Sequence, residues 1–304
     1  MTFCPAEKRG GFMEPLINWD AIQELAMPPM MAGPNADPAW EQRFADFYNK
    51  VAAMEKRHTL NQVNALPLLP SDTLLDVGCG PGRLSVPLAQ RVKSVTALDN
   101  SEAVLRYCRM NAETAGLANL TARKMDFREA VAGESLELHD VVLCSRSGGL
   151  RNIKKLAAFA RRLTAVITFA NAPTIPQLLS NIFRGTAADP QHKPPFARYG
   201  MDRRINYNVL YNIAYDLGYE PNVHIVDDGF TKDYDSRENA YDDIIALGKV
   251  DEDKADIYRR NLDQYLTAND KGGITFFIET RTCVIWWLNN PKRFFAPAGH
   301  TALD

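Results

Sequence analysis

The chain lacks most of the features that would set it apart from an ordinary globular protein. Cysteine is scarce: Cys4, Cys79, Cys108, Cys144 and Cys283 are scattered through 304 residues with no C-x-x-C pair. That spacing excludes a zinc ribbon or a disulfide framework and fits reduced thiols. The five histidines, His58, His139, His192, His224 and His300, share no metal-ligand spacing, so no metal site is expected. Charge of one sign is missing too: 35 basic against 37 acidic residues give a net charge of −2. A whole-molecule cationic field for nucleic acid or anionic lipid is thereby excluded. No apolar run approaches the roughly eighteen residues that a membrane helix needs. The opening MTFCPAEKRGGF holds no apolar leader, which predicts a cytoplasmic protein. What remains is 46% hydrophobic and 24% charged, enough to bury a large core without a disulfide or metal staple.

Organisation changes along the chain. Residues 1–36 carry five prolines and one short helical pattern, Trp19 to Leu25. Asp37-Pro38 reads as an N-cap and first helical position. Trp40, Phe44, Phe47, Tyr48 and Val51 then make an apolar stripe on a helix reaching about Leu66, stopped by Pro67 and Pro70. From Thr73, short apolar runs alternate with helices. The runs are Thr73–Val77, Ser94–Leu98, Leu120–Arg123, Asp140–Cys144 and Ala165–Ala170. The helices are Gly82–Arg91, Glu102–Ala115 and Asn152–Leu163. Such alternation predicts a mainly parallel α/β sheet covered on both faces. Residues 171–203, with five more prolines, read as a long lid or loop. A helix around Tyr207–Leu217, a short strand Val223–Val226, helices Arg237–Leu247 and Lys254–Thr267, and a final strand Ile274–Trp287 follow.

The segment LLDVGCGPGRLS carries the chemistry. Asp76 ends the first strand, and Gly78, Gly80 and Gly82 alternate behind it up to a helix start. Glycines open the backbone to a ligand, and a helix N-terminus adds free N–H groups. A dinucleotide fingerprint needs G-x-G-x-x-G/A. Counting from Gly78 the last position is Arg83, and counting from Gly80 it is Ser85, so the fingerprint fails both ways. The Asp76 carboxylate repels a pyrophosphate and suits an ammonium group beside a carboxylate, as in an amino acid. Asp99 ends the second strand 21 residues after Gly78, where an acid reaches ribose hydroxyls. An amino-acid end plus a ribose describes S-adenosylmethionine.

D-V-G-C-G-P-G followed by A-L-D resembles the class I S-adenosylmethionine-dependent methyltransferases, well over residues 73–170 and beyond that only in element order. The resemblance implies a Rossmann-like, doubly wound α/β sheet of seven strands, mostly parallel with the last antiparallel. Residues 1–66 would form an N-terminal extension and helical cap, and 67–290 the core. Insertions at 171–203 and 236–268 and a tail at 291–304 complete the layout. It also implies that Asp76, Gly78, Cys79, Gly80 and Gly82 hold the methionine end, and that Asp99 takes the ribose hydroxyls with Asn100 beside it. Asp126 would accept from the adenine amino group, Met125 and Phe127 would flank the ring, and Ser145 would line the substrate entrance. Asp126 as a plain helix N-cap is the blander reading of that residue.

The acceptor side is less legible. Ser145-Arg146-Ser147-Gly148-Gly149 stands where exocyclic-amine methyltransferases carry N/D-P-P-Y/F, and its absence counts against that substrate class. Arg146 reads either as an anion ligand or as the partner of a local carboxylate. Tyr48, Arg57 and His58 are the cap residues expected to face substrate. Residues 184–204 combine a surplus of three positive charges with Phe196 and Tyr199, an anion grip or a polar lid. A small-molecule acceptor is expected, ahead of RNA or protein. A nicotinamide-dependent oxidoreductase is the competing enzyme class, and a cofactor-binding protein without turnover the competing non-enzyme.

Overall fold

The computed structural model describes residues 17–26, 38–170, 175–187 and 206–289. Tyr199 and most of the expected lid, 171–174 and 188–203, lie outside them. One sheet of eight strands organises the rest: β1 (Thr73–Val77), β2 (Ser94–Asp99), β3 (Leu120–Lys124), β4 (His139–Ser145), β5 (Ala160–Phe169), β6 (Asn222–Tyr234), β7 (Leu266–Ala268) and β8 (Ile274–Leu288). The order is β3-β2-β1-β4-β5-β8-β6, with β7 paired to β8 outside this path. β1 to β5 run parallel, and β8 is antiparallel to β5, β6 and β7. The last strand is thus the antiparallel one, as expected, with one strand more than seven. The chain reverses direction across the sheet between β1 and β4, which opens a crevice at their carboxyl ends.

Alternating side chains fill two cores. Val142 and Cys144 of β4, Val166 of β5 and Cys283, Ile285 and Trp287 of β8 face one layer. That layer holds α1 (Trp19–Ala26), α6 (Ile153–Ala158) and α8 (Tyr207–Asp216). Val141, Leu143, Leu163, Ala165, Ile167 and Val284 face the other. There Val63 of α3 (Lys56–Asn64) and Leu88 of α4 (Ser85–Ala89) pack. α5 (Glu102–Thr114) starts at Ser101, whose hydroxyl accepts the Val104 N–H, and seats Leu105 and Cys108 against Ala97.

β6 and β8 are longer than the sheet they belong to. Their pairing runs from Asn222↔Trp286 to Tyr234↔Ile274, whereas β5 ends at Phe169↔Thr282. The outer half of this ribbon therefore projects past the carboxyl edge, over the crevice. Gly229 permits the close crossing, since a Cβ there would meet the Ile278 carbonyl at 2.7 Å. α7 (Ile175–Ile182), α9 (Arg237–Ile244) and α10 (Ala255–Asp263) wrap the ribbon around a further core of Phe230, Ile244, Tyr258, Leu262 and Phe276. Val51 and Met54 of α2 (Pro38–Met54) join this core, so the cap is packed into the body of the protein.

Several expected elements are corrected. The helix from Asp37 to Leu66 breaks at Glu55, whose N–H turns back to Ala52 and whose side chain leaves for the interior. Gly82–Arg91 shortens to α4, because Gly82 has a positive φ and the intervening turn is not helical. The helix Asn152–Leu163 ends at Ala158, and Ala160 to Leu163 belong to β5. Asn289 bonds the Ala157 and Ala160 carbonyls there. Arg161 and Arg162 thus lie on a strand, beside Asp140 and Asp72. Val223–Val226 is only the start of β6. The helix Lys254–Thr267 divides into a short 3-10 turn, α10 and β7. The supposed loop 171–203 contains α7.

Candidate active site

The crevice is floored by the turn between β1 and α4. Gly78, Gly80 and Gly82 all adopt positive φ, +72°, +57° and +84°, a region L side chains avoid. Gly78 and Cys79 donate backbone N–H bonds to the Leu98 carbonyl, which ties the loop to the end of β2. A Cβ at Gly80 would stand 2.6 Å from the Tyr48 ring, and one at Gly78 2.3 Å from Ser147 Oγ. A narrow cavity above the loop is lined by Tyr48, Asp76, Gly78, Cys79, Arg83, Leu84 and Ser145.

Asp76 is 2% exposed, and its carboxylate accepts from Ser85 Oγ at 2.6 Å. Burial pushes its pKa up to about 6, against the opposing pull of the Ser85 bond and the Arg83 charge. Asp99 accepts the Gly80 N–H at 3.1 Å and the Ser101 N–H at 3.0 Å, and burial raises its pKa as well. These two acids, drawn from neighbouring strand ends, bracket the glycine loop. Asn100 is exposed beside Asp99. Cys79 is buried against Cys108; that contact and burial hold its thiol well above the ordinary range, so it is no nucleophile.

Met125 donates its N–H to the Asp99 carbonyl at 3.0 Å, which brings the β3 exit beside the β2 exit. The Asp126 carboxylate is engaged by Arg128 through Nε at 3.0 Å, and that contact lowers its pKa. The Phe127 ring rests on Phe159, 5.1 Å between centroids, with the Lys155 ammonium 5.2 Å from its own centroid.

Beyond Ser145 lies a cluster the sequence did not announce. Arg146, with φ +50°, places its guanidinium 2.8 Å from Glu55 Oε2, 2.6 Å from Asp228 Oδ2 and 3.6 Å over the Phe169 ring. It also donates to Thr282 Oγ1 at 2.6 Å. Gln62 donates to Asp228 at 2.9 Å and accepts from Arg83 at 2.9 Å. Arg83 completes the cluster, 3.2 Å from Glu55 and donating to Ser145 Oγ at 2.8 Å. Arg146 is therefore the partner of carboxylates, and those carboxylates come from the cap and from β6. Arg57 pairs with Asp233 on the ribbon, and His58 bonds Thr231 at 3.1 Å and stacks on Phe277. The structure brings neither to the cavity, whereas Tyr48 does line it.

α2 closes the crevice from above. Glu41 accepts from the Ser101 hydroxyl at 2.6 Å, Asp46 from Tyr107 at 2.7 Å and Asn49 from Asn111 at 3.1 Å. Lys50 pairs with Asp243 of α9 at 2.8 Å.

With this geometry in hand, comparison with known proteins is direct. Residues 74–169, β1 to β5, match the family described as "Methyltransferase domain". Over 123 residues the chain is 33% identical to the ubiquinone biosynthesis O-methyltransferase of Acinetobacter baylyi, a span of 36% of this chain and 50% of that one. Over 113 residues it is 26% identical to a 23S rRNA uracil C5-methyltransferase of Aliivibrio fischeri, 36% of this chain and 26% of that one. Among solved structures, magnesium protoporphyrin IX methyltransferase from Synechocystis aligns with a TM-score of 0.39 and 19% identity, covering 64% of this chain and 84% of that one. The chain thus spans half or less of the length of these curated relatives. Over β1 to β5, the glycine loop included, the chain is thus similar to methyltransferase domains.

Proposed function

We propose that this chain is a methyltransferase that uses S-adenosylmethionine to modify a small-molecule acceptor enclosed between the glycine loop and the α2–α3 cap. One observation carries the reading. A buried carboxylate at Asp76, bonded to Ser85, and a backbone-anchored one at Asp99 stand on either side of a loop whose positive φ angles favour glycine. The donor set suits the cofactor: Asp76 for the ammonium, open backbone for the chain between, Asp99 for the ribose hydroxyls. When bound, the cofactor supplies a methyl group already activated on a sulfonium. The protein's own work is then alignment and water exclusion. Tyr48 covers the loop, Ser145 and Leu84 close the walls, and α2 shuts the cleft through its bonds to α5.

A small acceptor is supported by this enclosure. A folded RNA or a protein segment would have to lift a helix that shares a core with the ribbon. The same relation to an O-methyltransferase of ubiquinone biosynthesis supports it. The test has two parts. S-adenosylhomocysteine should raise the melting temperature by mass action while NAD at equal concentration does not. Turnover with labelled S-adenosylmethionine on a metabolite panel should then exceed turnover on bulk RNA. A shift with NAD alone would overturn the cofactor assignment, and methylation of RNA alone the acceptor class.

A further inference from the structure

The cavity has two poles. Asp76 is one; the other is Arg83, which stands in the motif G-P-G-R one residue past the last loop glycine. Its side chain is only 6% exposed, yet it lines the cavity. Burying a guanidinium is costly unless it is fully matched, and here one shared carboxylate supplies the whole of the opposite charge. Two of its three partners, Gln62 Oε1 and Ser145 Oγ, are neutral. The third, Glu55, lies nearer to Arg146, at 2.8 Å against 3.2 Å. Arg146 also forms an ion pair with Asp228 at 2.6 Å. Of the two arginines, Arg83 is the one held by a single and longer ion pair, and it lines the same cavity as Asp76.

A carboxylate and a guanidinium facing one cavity are the complement of a zwitterion. We infer that Arg83 is the carboxylate-binding residue of the amino-acid subsite, opposite Asp76 for the ammonium, with Gln62 and Glu55 holding its guanidinium ready. The inference rests on the cofactor reading above and deepens it. It assigns the residue that distinguishes an amino acid from a simple amine. Glu55 and Gln62 lie two turns apart on one face of the cap's second helix, so the same contact fastens the cap to the loop. When the guanidinium turns to a ligand carboxylate, Glu55 keeps Arg146, and no buried acid is left without a cation.

Calorimetry with three probes tests this without requiring turnover. S-adenosylmethionine and its decarboxylated form differ only in the carboxylate, and 5′-methylthioadenosine lacks the whole amino-acid arm. Wild type should prefer S-adenosylmethionine over the decarboxylated form by about ten- to a hundredfold, the range of one charge-assisted hydrogen bond. In Arg83→Met that preference should shrink to about threefold or less, while 5′-methylthioadenosine binds as before. Arg83→Lys should keep part of it. If the single variant fails to fold, Arg83→Met with Glu55→Gln removes both charges and is read in the same way. Undiminished preference in a folded variant, or equal weakening of all three probes, would overturn the assignment while leaving the cofactor reading intact. Wild type that binds none of the three would instead sink the cofactor reading and the assignment with it.

Discussion

Asp76→Asn should make the free protein more stable and the cofactor site worse. With its pKa raised from 3.8 to about 6, the Asp76 carboxylate costs stability at neutral pH. The sign follows from proton counting: between these values the folded state binds more protons than the unfolded state, so stability falls as pH rises through that window. Two pK units at about 1.4 kcal/mol each put the cost near 3 kcal/mol above pH 7. Asparagine keeps the shape and drops the charge, but it also weakens the 2.6 Å bond from Ser85. Returning about 1 kcal/mol for that bond leaves a net gain of about 1–2 kcal/mol. For a chain of this size the gain is a rise of roughly 1.5–3 °C in melting temperature.

The assay is calorimetric unfolding of both proteins at pH 7.5 and pH 5, with titration of S-adenosylhomocysteine at pH 7.5. At pH 5 the carboxylate is largely protonated and its cost falls to about half, so the gap between the two proteins should narrow. General acid effects act on both and cancel in the difference. Affinity for S-adenosylhomocysteine should drop about ten- to a hundredfold, because the ammonium loses its charged acceptor. A variant less stable than wild type at pH 7.5, with unchanged affinity, would refute the claim that Asp76 is held charged for a ligand.

Three further outcomes follow from the same geometry. Asp99→Asn should weaken S-adenosylhomocysteine about tenfold, with Glu102 tied to Arg109 and Glu41 to Ser101, which titration calorimetry checks. Gly80→Ala places a Cβ at 2.6 Å from Tyr48 at a φ of +57°, so it should cost about 1–2 kcal/mol in urea unfolding, and Tyr48→Ala in the same chain should recover part of the loss. Arg146→Met strands Asp228, while Glu55 keeps Arg83, and should cost about 3–5 kcal/mol, most of it restored when Asp228→Asn is added; equal instability of the double variant would show that the charge is not the cause.

The parallel half of the fold was legible because its signals are local. Each strand from β1 to β5 is a short apolar run closed by a turn, and Asp76, the glycines and Asp99 fall at strand ends that the pattern marks directly. The ribbon was not, because its outer half reads as a polar, mixed segment. DDGFTKDY carries four charged residues in eight, and it is a strand only because β8 pairs with it along its whole length and α9 and α10 cover it. The same tertiary override ended α6 early. Ala160 to Leu163 continue a helical pattern in sequence, but pairing with β4 and the caps from Asn289 draw them into the sheet.

The site divides in the same way. Residues whose roles depend on backbone geometry could be found from spacing, since a glycine loop between a strand and a helix specifies its own shape. Residues whose roles depend on a partner far along the chain could not. Glu55, Gln62, Arg83, Arg146, Asp228 and Thr282 come from five separate segments, and each alone reads as an ordinary polar residue. Arg146 illustrates the point. A local carboxylate was one of the two readings its sequence allowed, and the carboxylates it found are 91 and 82 positions away. A signal was present for Arg83, since it breaks the dinucleotide fingerprint at the position where glycine or alanine belongs. A large cation there means that no pyrophosphate needs the helix to approach so closely. What it means beyond that required seeing Asp76 line the same cavity, because a guanidinium becomes half of a zwitterion site only when the other half shares its space.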